Sequence, residues 1–224
     1  IVLADAHFPG ETFNGNVIRA DGLKVATLLE GIMPLFILDQ YVDNPLAMMA
    51  AVEGDELGHS VDAAGDVNND GYLDIYVCKV GAFNSLKAQN QLYINNGDLT
   101  FTESAEKLGV AFSGFSTQAA FLDYDKDGDL DFYLLNHNIH SVRSYGTVKN
   151  RADLDLLAGD RFYENQLNET GRFVEVTEQS QIYSSPLGYG LAIGISDFNH
   201  DGWPDLYVGN DFHENDYLSL NNRA

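Results

Sequence analysis

The sequence predicts a mainly β protein: a partial β-propeller of about three four-stranded blades at residues 58–224, preceded by a small α/β segment at residues 1–57. Three observations carry this expectation. An acidic twelve-residue pattern occurs three times, each copy running into a strand-like apolar stretch. A second element, patterned like a hairpin, follows each copy. The composition also changes near Leu57-Gly58-His59: all three methionines precede this point, and eleven of the twelve tyrosines follow it.

The three copies are "DVNNDGYLDIYV" from Asp66, "DYDKDGDLDFYL" from Asp123 and "DFNHDGWPDLYV" from Asp197. They share D-x-[DN]-x-D-G-x-[LP]-D-[ILF]-Y-[VL], with starts 57 and 74 residues apart, a blade-sized spacing with variable loops. Upstream of each lies a run of small and apolar residues: "VDAAG", "TQAAFL" and "GLAIGIS". Downstream come "NQLYINNGDLTFTES", "DRFYENQLNETGRFVEVTE" and "NDYLSLNN", each placing aromatic and aliphatic residues around a polar turn. One unit therefore reads as strand, acidic loop, strand, linker and hairpin. The third copy reaches Ala224 before its last strand, so an open propeller edge is expected, with self-association as its hazard.

Acidic or amide side chains at loop positions 1, 3 and 5 turn toward one centre when the backbone curls, and glycine at position 6 permits the sharp turn. Position 7 adds a main-chain carbonyl and position 9 another carboxylate. The candidate ligands are Asp66, Asn68, Asp70, the Tyr72 carbonyl and Asp74 in the first loop. In the second they are Asp123, Asp125, Asp127, the Asp129 carbonyl and Asp131. In the third they are Asp197, Asn199, Asp201, the Trp203 carbonyl and Asp205. An all-oxygen, carboxylate-rich, irregular set suits Ca²⁺ better than Mg²⁺. Two bare carboxylates about 4 Å apart repel by roughly 4 kcal/mol at an effective dielectric near 20, so a cation is expected in each loop in a structural role. An EF-hand is excluded, because its position-12 glutamate is replaced by Val77, Leu134 and Val208. Polar turns without an ion are the competing interpretation, since Asp, Asn and Gly favour turns; the acidic position 9 in all three copies weighs against it.

Residues 58–224 resemble the FG-GAP/VCBS repeat family, in particular the propellers of ASPIC/UnbV-type proteins. The matching text is "GDVNNDGYLDIYV", "LDYDKDGDLDFYLLN" and "SDFNHDGWPDLYVGNDFHENDYLSLNN". The first also resembles the calcium loops of integrin α-chain propellers. The resemblance implies a calcium-stabilised propeller, usually exported, that serves adhesion or recognition of proteins or glycans. An extracellular, periplasmic or cell-surface setting is therefore expected.

The first 57 residues are patterned differently. "IVLAD" is a short apolar strand, and "VATLLEGI" puts Val25, Leu28, Leu29 and Ile32 on one helical face with Pro34 beyond it. "IVLADAHFP", "VIRADGL", "IMPLF", "LDQYV" and "MMAAVEGDEL" resemble the L-fucose mutarotase family, relatives of ribose pyranase. That resemblance implies anomer interconversion by acid–base proton transfer, with Asp5 at the family's active-site aspartate. His7 lies beside the motif and takes no base role. The family's histidine stands in a G-H-G-D segment ahead of "IVLAD", and its sugar-binding tyrosine and asparagine follow where the repeats begin here. General acid–base chemistry needs both partners within hydrogen-bond reach, so no catalysis is expected from Asp5 alone. A fusion or chimera of two origins explains the join, and a chimera need carry no selected function.

Composition narrows the partners. The formal net charge of −22 excludes nucleic acid, which needs a basic footprint. The longest apolar run, "IMPLFIL", is too short to cross a membrane and is broken by Pro34. The start lacks the basic region of a secretory leader. Cys78, the single cysteine, is expected as a buried strand thiol. "GYGLAIG" from Gly188 precedes an acidic loop and not a helix, so it reads as close strand packing and not a phosphate loop. Asn168-Glu169-Thr170 is a glycosylation sequon. The long insertion from His137, with His140, is a candidate recognition loop.

Overall fold

The computed structural model describes residues 18–20, 23–26, 35–38, 60–81, 88–138, 157–211 and 214–222, the first three stretches and residues 60–62 by backbone. The chain divides into two compact units, Ile1–Glu53 and Gly54–Ala224.

The described part of the first unit is an antiparallel sheet of β1 (Ile18–Ala20), β2 (Leu23–Ala26) and β3 (Leu35–Leu38), in that order. Ala20 pairs with Leu23 across Asp21-Gly22, the sequence signature of a two-residue hairpin. The helical expectation for "VATLLEGI" fails at its first residues. Val25 pairs with Ile18 on one side and Phe36 on the other, so ladder bonds on both flanks hold it extended, as its β-branched side chain favours. Leu28, Leu29 and Ile32 lie outside the described residues, as does Asp5.

The described residues of the second unit form three antiparallel sheets. The first is β4 (Ser60–Gly65), β5 (Asp74–Cys78), β6 (Gln91–Asn95) and β7 (Phe101–Glu103). A one-turn helix, α1 (Ala105–Leu108), follows it. The second sheet is β8 (Ser116–Leu122), β9 (Asp131–Asn136), β10 (Arg161–Gln166) and β11 (Arg172–Glu175). The third is β12 (Gly190–Ser196), β13 (Asp205–Asn210) and β14 (Tyr217–Ser219). Each sheet takes its strands in chain order, as propeller blades do, and each acidic loop joins its first strand to its second.

Packing explains why the centre of "DFYLLN", Phe132 to Leu135, is apolar without alternation. Every residue of β9 is buried, because the second blade is covered on both faces. Phe132 and Leu134 join the core shared with Tyr76, Cys78 and Leu92 of the first blade. Tyr133 and Leu135 join the core shared with Leu206, Val208 and Tyr217 of the third. The Phe132 ring stacks on Tyr163 with centroids 4.6 Å apart and meets Phe173 edge-on at 5.4 Å. Cys78 is a buried thiol, as expected.

A buried polar chain crosses the blades. The Lys79 N–H donates to Asn90 Oδ1, Asn90 Nδ2 donates to Ser116 Oγ, and Ser116 Oγ donates to Asn136 Oδ1. The Asn136 N–H donates to Asp160 Oδ1 at 2.9 Å, and the Tyr133 hydroxyl donates to Asp160 Oδ2 at 2.6 Å. Burial pushes the Asp160 carboxyl up to about 7, against the pull of those two donors. The folded state thus holds a proton that the unfolded chain gives up between about pH 4 and 7, so this group makes stability fall as pH rises through that window. Asp160→Asn keeps an acceptor for Asn136 and removes the titration. Urea unfolding in EDTA across that window should show a shallower decline for the variant than for the parent. An unchanged slope would place the carboxyl's pKa in its ordinary range.

Candidate metal centres

Each acidic loop closes on its own first aspartate. Asp66 accepts the Asp70 and Gly71 N–H groups at 3.0 and 2.7 Å, and Asp197 accepts those of Asp201 and Gly202 at 3.0 and 2.8 Å. Asp123 Oδ2 accepts the Gly128 N–H at 3.2 Å. Gly71, Gly128 and Gly202 have φ of 91°, 96° and 90°, a region that L side chains rarely adopt. Position 4 is left-handed as well, with φ of 57° at Asn69, 61° at Lys126 and 62° at His200. The twelve-residue pattern leaves that position variable, so sequence alone did not mark it. His200 is exposed.

The ninth-position aspartates are the roots of the loops. Asp74, Asp131 and Asp205 are each 1% exposed. One oxygen of each accepts the position-2 N–H: Val67 at 3.0 Å, Tyr124 at 3.1 Å and Phe198 at 2.8 Å. The other accepts a backbone N–H from the third strand or its end: Asn95 at 2.9 Å, Asn165 at 2.7 Å and Asn221 at 2.8 Å. These asparagines escaped the sequence reading. Their signal was present as [DN]-x-[FL]-x-x-N, in "NQLYIN", "DRFYEN" and "DYLSLN".

In the second loop three carboxylates converge. Oxygens of Asp123, Asp125 and Asp131 lie within 4.8 Å of one another. At that separation each bare pair repels by about 3 kcal/mol at an effective dielectric near 20, less where solvent reaches it. Asp123 Oδ1 is buried with no hydrogen-bond partner. Burial pushes the Asp131 carboxyl up to about 7, and Asp125 and Asp127 add to the rise against the Asn165 and Tyr124 N–H donors. An orphaned anionic oxygen beside two further carboxylates fits a hard divalent cation. Asp127 stands apart from this trio: its Oδ1 accepts the Asp129 N–H at 2.9 Å.

The first and third loops carry an asparagine at position 3, so they bring fewer charges together. Asn68 Nδ2 donates to Asp70 Oδ2 at 2.9 Å, and Asn199 Nδ2 donates to Asp201 Oδ2 at 2.8 Å. A half-turn of either amide would present its Oδ1 to a cation instead. Burial raises Asp74, with Asp70 and Asp66 adding to it. The Trp203 N–H, then the Asn199 amide, hold Asp201 below its ordinary value. Position 7 donates its backbone N–H within all three loops. The Tyr72 and Trp203 N–H groups each donate to the position-5 aspartate at 2.9 Å, as Asp129 does. The Asp129 carboxylate also bridges Asn69 Nδ2 at 2.6 Å and Asn168 Nδ2 at 2.7 Å.

Comparison with known proteins agrees with this architecture. Residues 66–134 match the FG-GAP-like repeat family, and residues 189–217 match the FG-GAP repeat family. A segment of 62 residues, 28% of the chain, is 61% identical to the L-fucose mutarotase of Glaesserella parasuis and covers 42% of that protein. The corresponding proteins of Actinobacillus pleuropneumoniae serotype 5b and Haemophilus influenzae Rd are 63% and 61% identical over the same length, with 43% of each covered. The chain spans less than half the length of these curated relatives.

A Cβ added at Gly128 would meet nothing within 4 Å, so alanine there is opposed by backbone conformation alone. Gly128→Ala should cost about 1–2 kcal/mol in chelator-treated protein, with a larger loss of melting temperature in calcium if the loop holds an ion. Equal melting of variant and parent under both conditions would remove the conformational constraint.

Proposed function

We propose that residues 58–224 form a calcium-loaded, non-catalytic recognition module of FG-GAP-type blades, with one structural ion in each acidic loop. The observation that carries this is the trio Asp123, Asp125 and Asp131 with its orphaned Asp123 oxygen. In the first loop the ligands are Asp66, Asn68, Asp70, Asp74 and the Tyr72 carbonyl. In the third they are Asp197, Asn199, Asp201, Asp205 and the Trp203 carbonyl. In the second, Asp127 and the Asp129 carbonyl complete the trio's set. The ion supplies charge compensation and pins the strand connection. The chain's own groups orient the loop and hold the third strand to it. A protein or a glycan in an extracellular, periplasmic or cell-surface setting is the partner that the repeat resemblance supports. Another copy of the chain, paired along an exposed strand edge, is a second partner.

Calorimetry and melting with Ca²⁺ and EDTA test the metal. One site held at about a hundredfold its Kd stabilises by about 2.7 kcal/mol, which is about 5–10 °C for a domain of this size. Asp125→Ala should lower the number of ions bound by one. Melting that is the same in calcium and in chelator would end the proposal.

A second function is favoured by one observation, the segment about 60% identical to L-fucose mutarotases. Residues 1–57 would then supply Asp5 as the acid or base of an anomer-exchange site completed by another chain. Saturation-transfer NMR on L-fucose anomers should show no acceleration by the protein if the recognition module is the whole function. Exchange that disappears in Asp5→Asn would establish the mutarotase instead.

A further inference from the structure

The ligand-bearing end of the second loop stands on the first loop. Three consecutive residues make the contact, at loop positions 7, 8 and 9. Asp129 accepts Asn69 Nδ2 on one carboxylate oxygen at 2.6 Å and Asn168 Nδ2 on the other at 2.7 Å. Leu130 packs so closely on Gly65, the residue before Asp66, that a Cβ at Gly65 would collide with Leu130 Cδ1. Asp131 is reached through Asn165. The Asn165 N–H donates to Asp131 Oδ1 at 2.7 Å, while its Nδ2 donates to the Val67 carbonyl at 2.9 Å and the Leu130 carbonyl at 3.1 Å. Val67 lies between Asp66 and Asn68, two candidate ligands of the first loop.

The third loop meets the second in the same way. Lys126 Nζ lies 4.1 Å from the centre of the Trp203 ring, and Asn221 Nδ2 donates to the Tyr124 carbonyl at 2.7 Å. At both joints position 4 of the earlier loop meets position 7 of the later one, and an asparagine of the later blade meets position 2. The contacts therefore run in one direction, from the forward face of one blade to the blade after it. Position 4 is left-handed in every loop, yet no loop places glycine there. Asn69 and Lys126 are not candidate ligands; their side chains reach the next loop instead.

The stretch from Asp129 to Asp131 carries two candidate ligands of the second loop, the Asp129 carbonyl and the Asp131 carboxylate. The same loop holds the orphaned Asp123 oxygen. An ion in the first loop would draw Asp66, Asn68 and Asp70 to one centre. That fixes the backbone from which Asn69 and the Val67 carbonyl reach across. The second loop's ligands are then already placed, and less conformational freedom is left to lose when its own ion binds.

We propose that the first and second loops take up their ions cooperatively, with Asn69 as the residue that positions the second site. This rests on the calcium reading of the loops proposed above. By linkage, an ion in the second loop strengthens the first to the same degree.

Calcium titration of the full chain followed by amide NMR tests the coupling. Gly71, Gly128 and Gly202 give one reporter per loop, through their N–H bonds to Asp66, Asp123 and Asp197. Asp70→Ala, which removes a ligand of the first loop, should weaken binding at the Gly128 reporter by about fivefold or more. Asn69→Gly keeps every candidate ligand and suits the left-handed backbone. It should weaken binding at Gly128 by a similar factor and leave little for Asp70→Ala to add. Asn69→Asp, which sets a carboxylate against Asp129, should weaken it as well. An Asp70→Ala effect that persists undiminished in the Asn69→Gly chain would be one of charge alone and would overturn the role of Asn69. Equal affinity at Gly128 in the parent and in Asp70→Ala would overturn the coupling and leave the calcium assignment in place. No calcium-dependent shift at any of the three glycines would overturn the calcium reading itself.

Discussion

A carboxylate buried at the root of each acidic loop is the constraint on which the rest of this architecture depends. Asp74, Asp131 and Asp205 stand inside their blades with both oxygens held by backbone N–H groups, one from the loop and one from the third strand or its end. At Asp131 two backbone hydrogen bonds offset part of the cost of burying the charge but not all of it, since burial still pushes the carboxyl up to about 7. A nearby divalent cation would offset the remainder. The same aspartate that makes the loop rigid therefore makes it attractive to a cation.

That constraint propagates outward through the third-strand asparagines. The Asn165 N–H meets Asp131, its amide holds the Leu130 carbonyl of its own loop, and the same amide reaches the Val67 carbonyl of the preceding blade. One side chain thus connects loop closure within a blade to registration between blades. It is a short-range device, so neighbouring blades specify one another; among the described strands the first and third sheets make no contact, as expected of repeat architectures. The middle blade, covered on both faces, is buried along its whole second strand, with Asp131 and Asn136 as the polar ends of an apolar run.

Much of this was legible in the sequence, because loop chemistry and strand periodicity are local. The twelve-residue pattern located each loop, the strand after it and the hairpin that follows. What stayed hidden depended on partners far along the chain. The pattern marked position 9 as a metal ligand, yet in the folded blade it is first an acceptor for N–H groups 7 residues away in one direction and 34 in another, as Asp131 shows. The asparagine ending "RFYEN" looks like an ordinary turn residue until the blade before it is in place. Val25 failed as a helix start for the same reason, since ladder bonds to Ile18 and Phe36 outweigh a weak local preference.

The directionality of the blade contacts constrains how such a module associates. Because each contact runs from a forward face to the face of the blade after it, copies joined through such faces would meet head to tail, and a head-to-tail contact must either close on itself or grow without limit. Electrostatics decides which is tolerable. The chain carries a formal net charge of −22, and self-repulsion on that scale opposes open-ended growth while leaving a small closed assembly accessible. Each divalent ion taken up by a loop would cancel two of those charges, and the loops sit beside the position-4 and position-7 side chains that join one blade to the next. Cation uptake and association would then be linked through shared charge, each favouring the other by the same free energy.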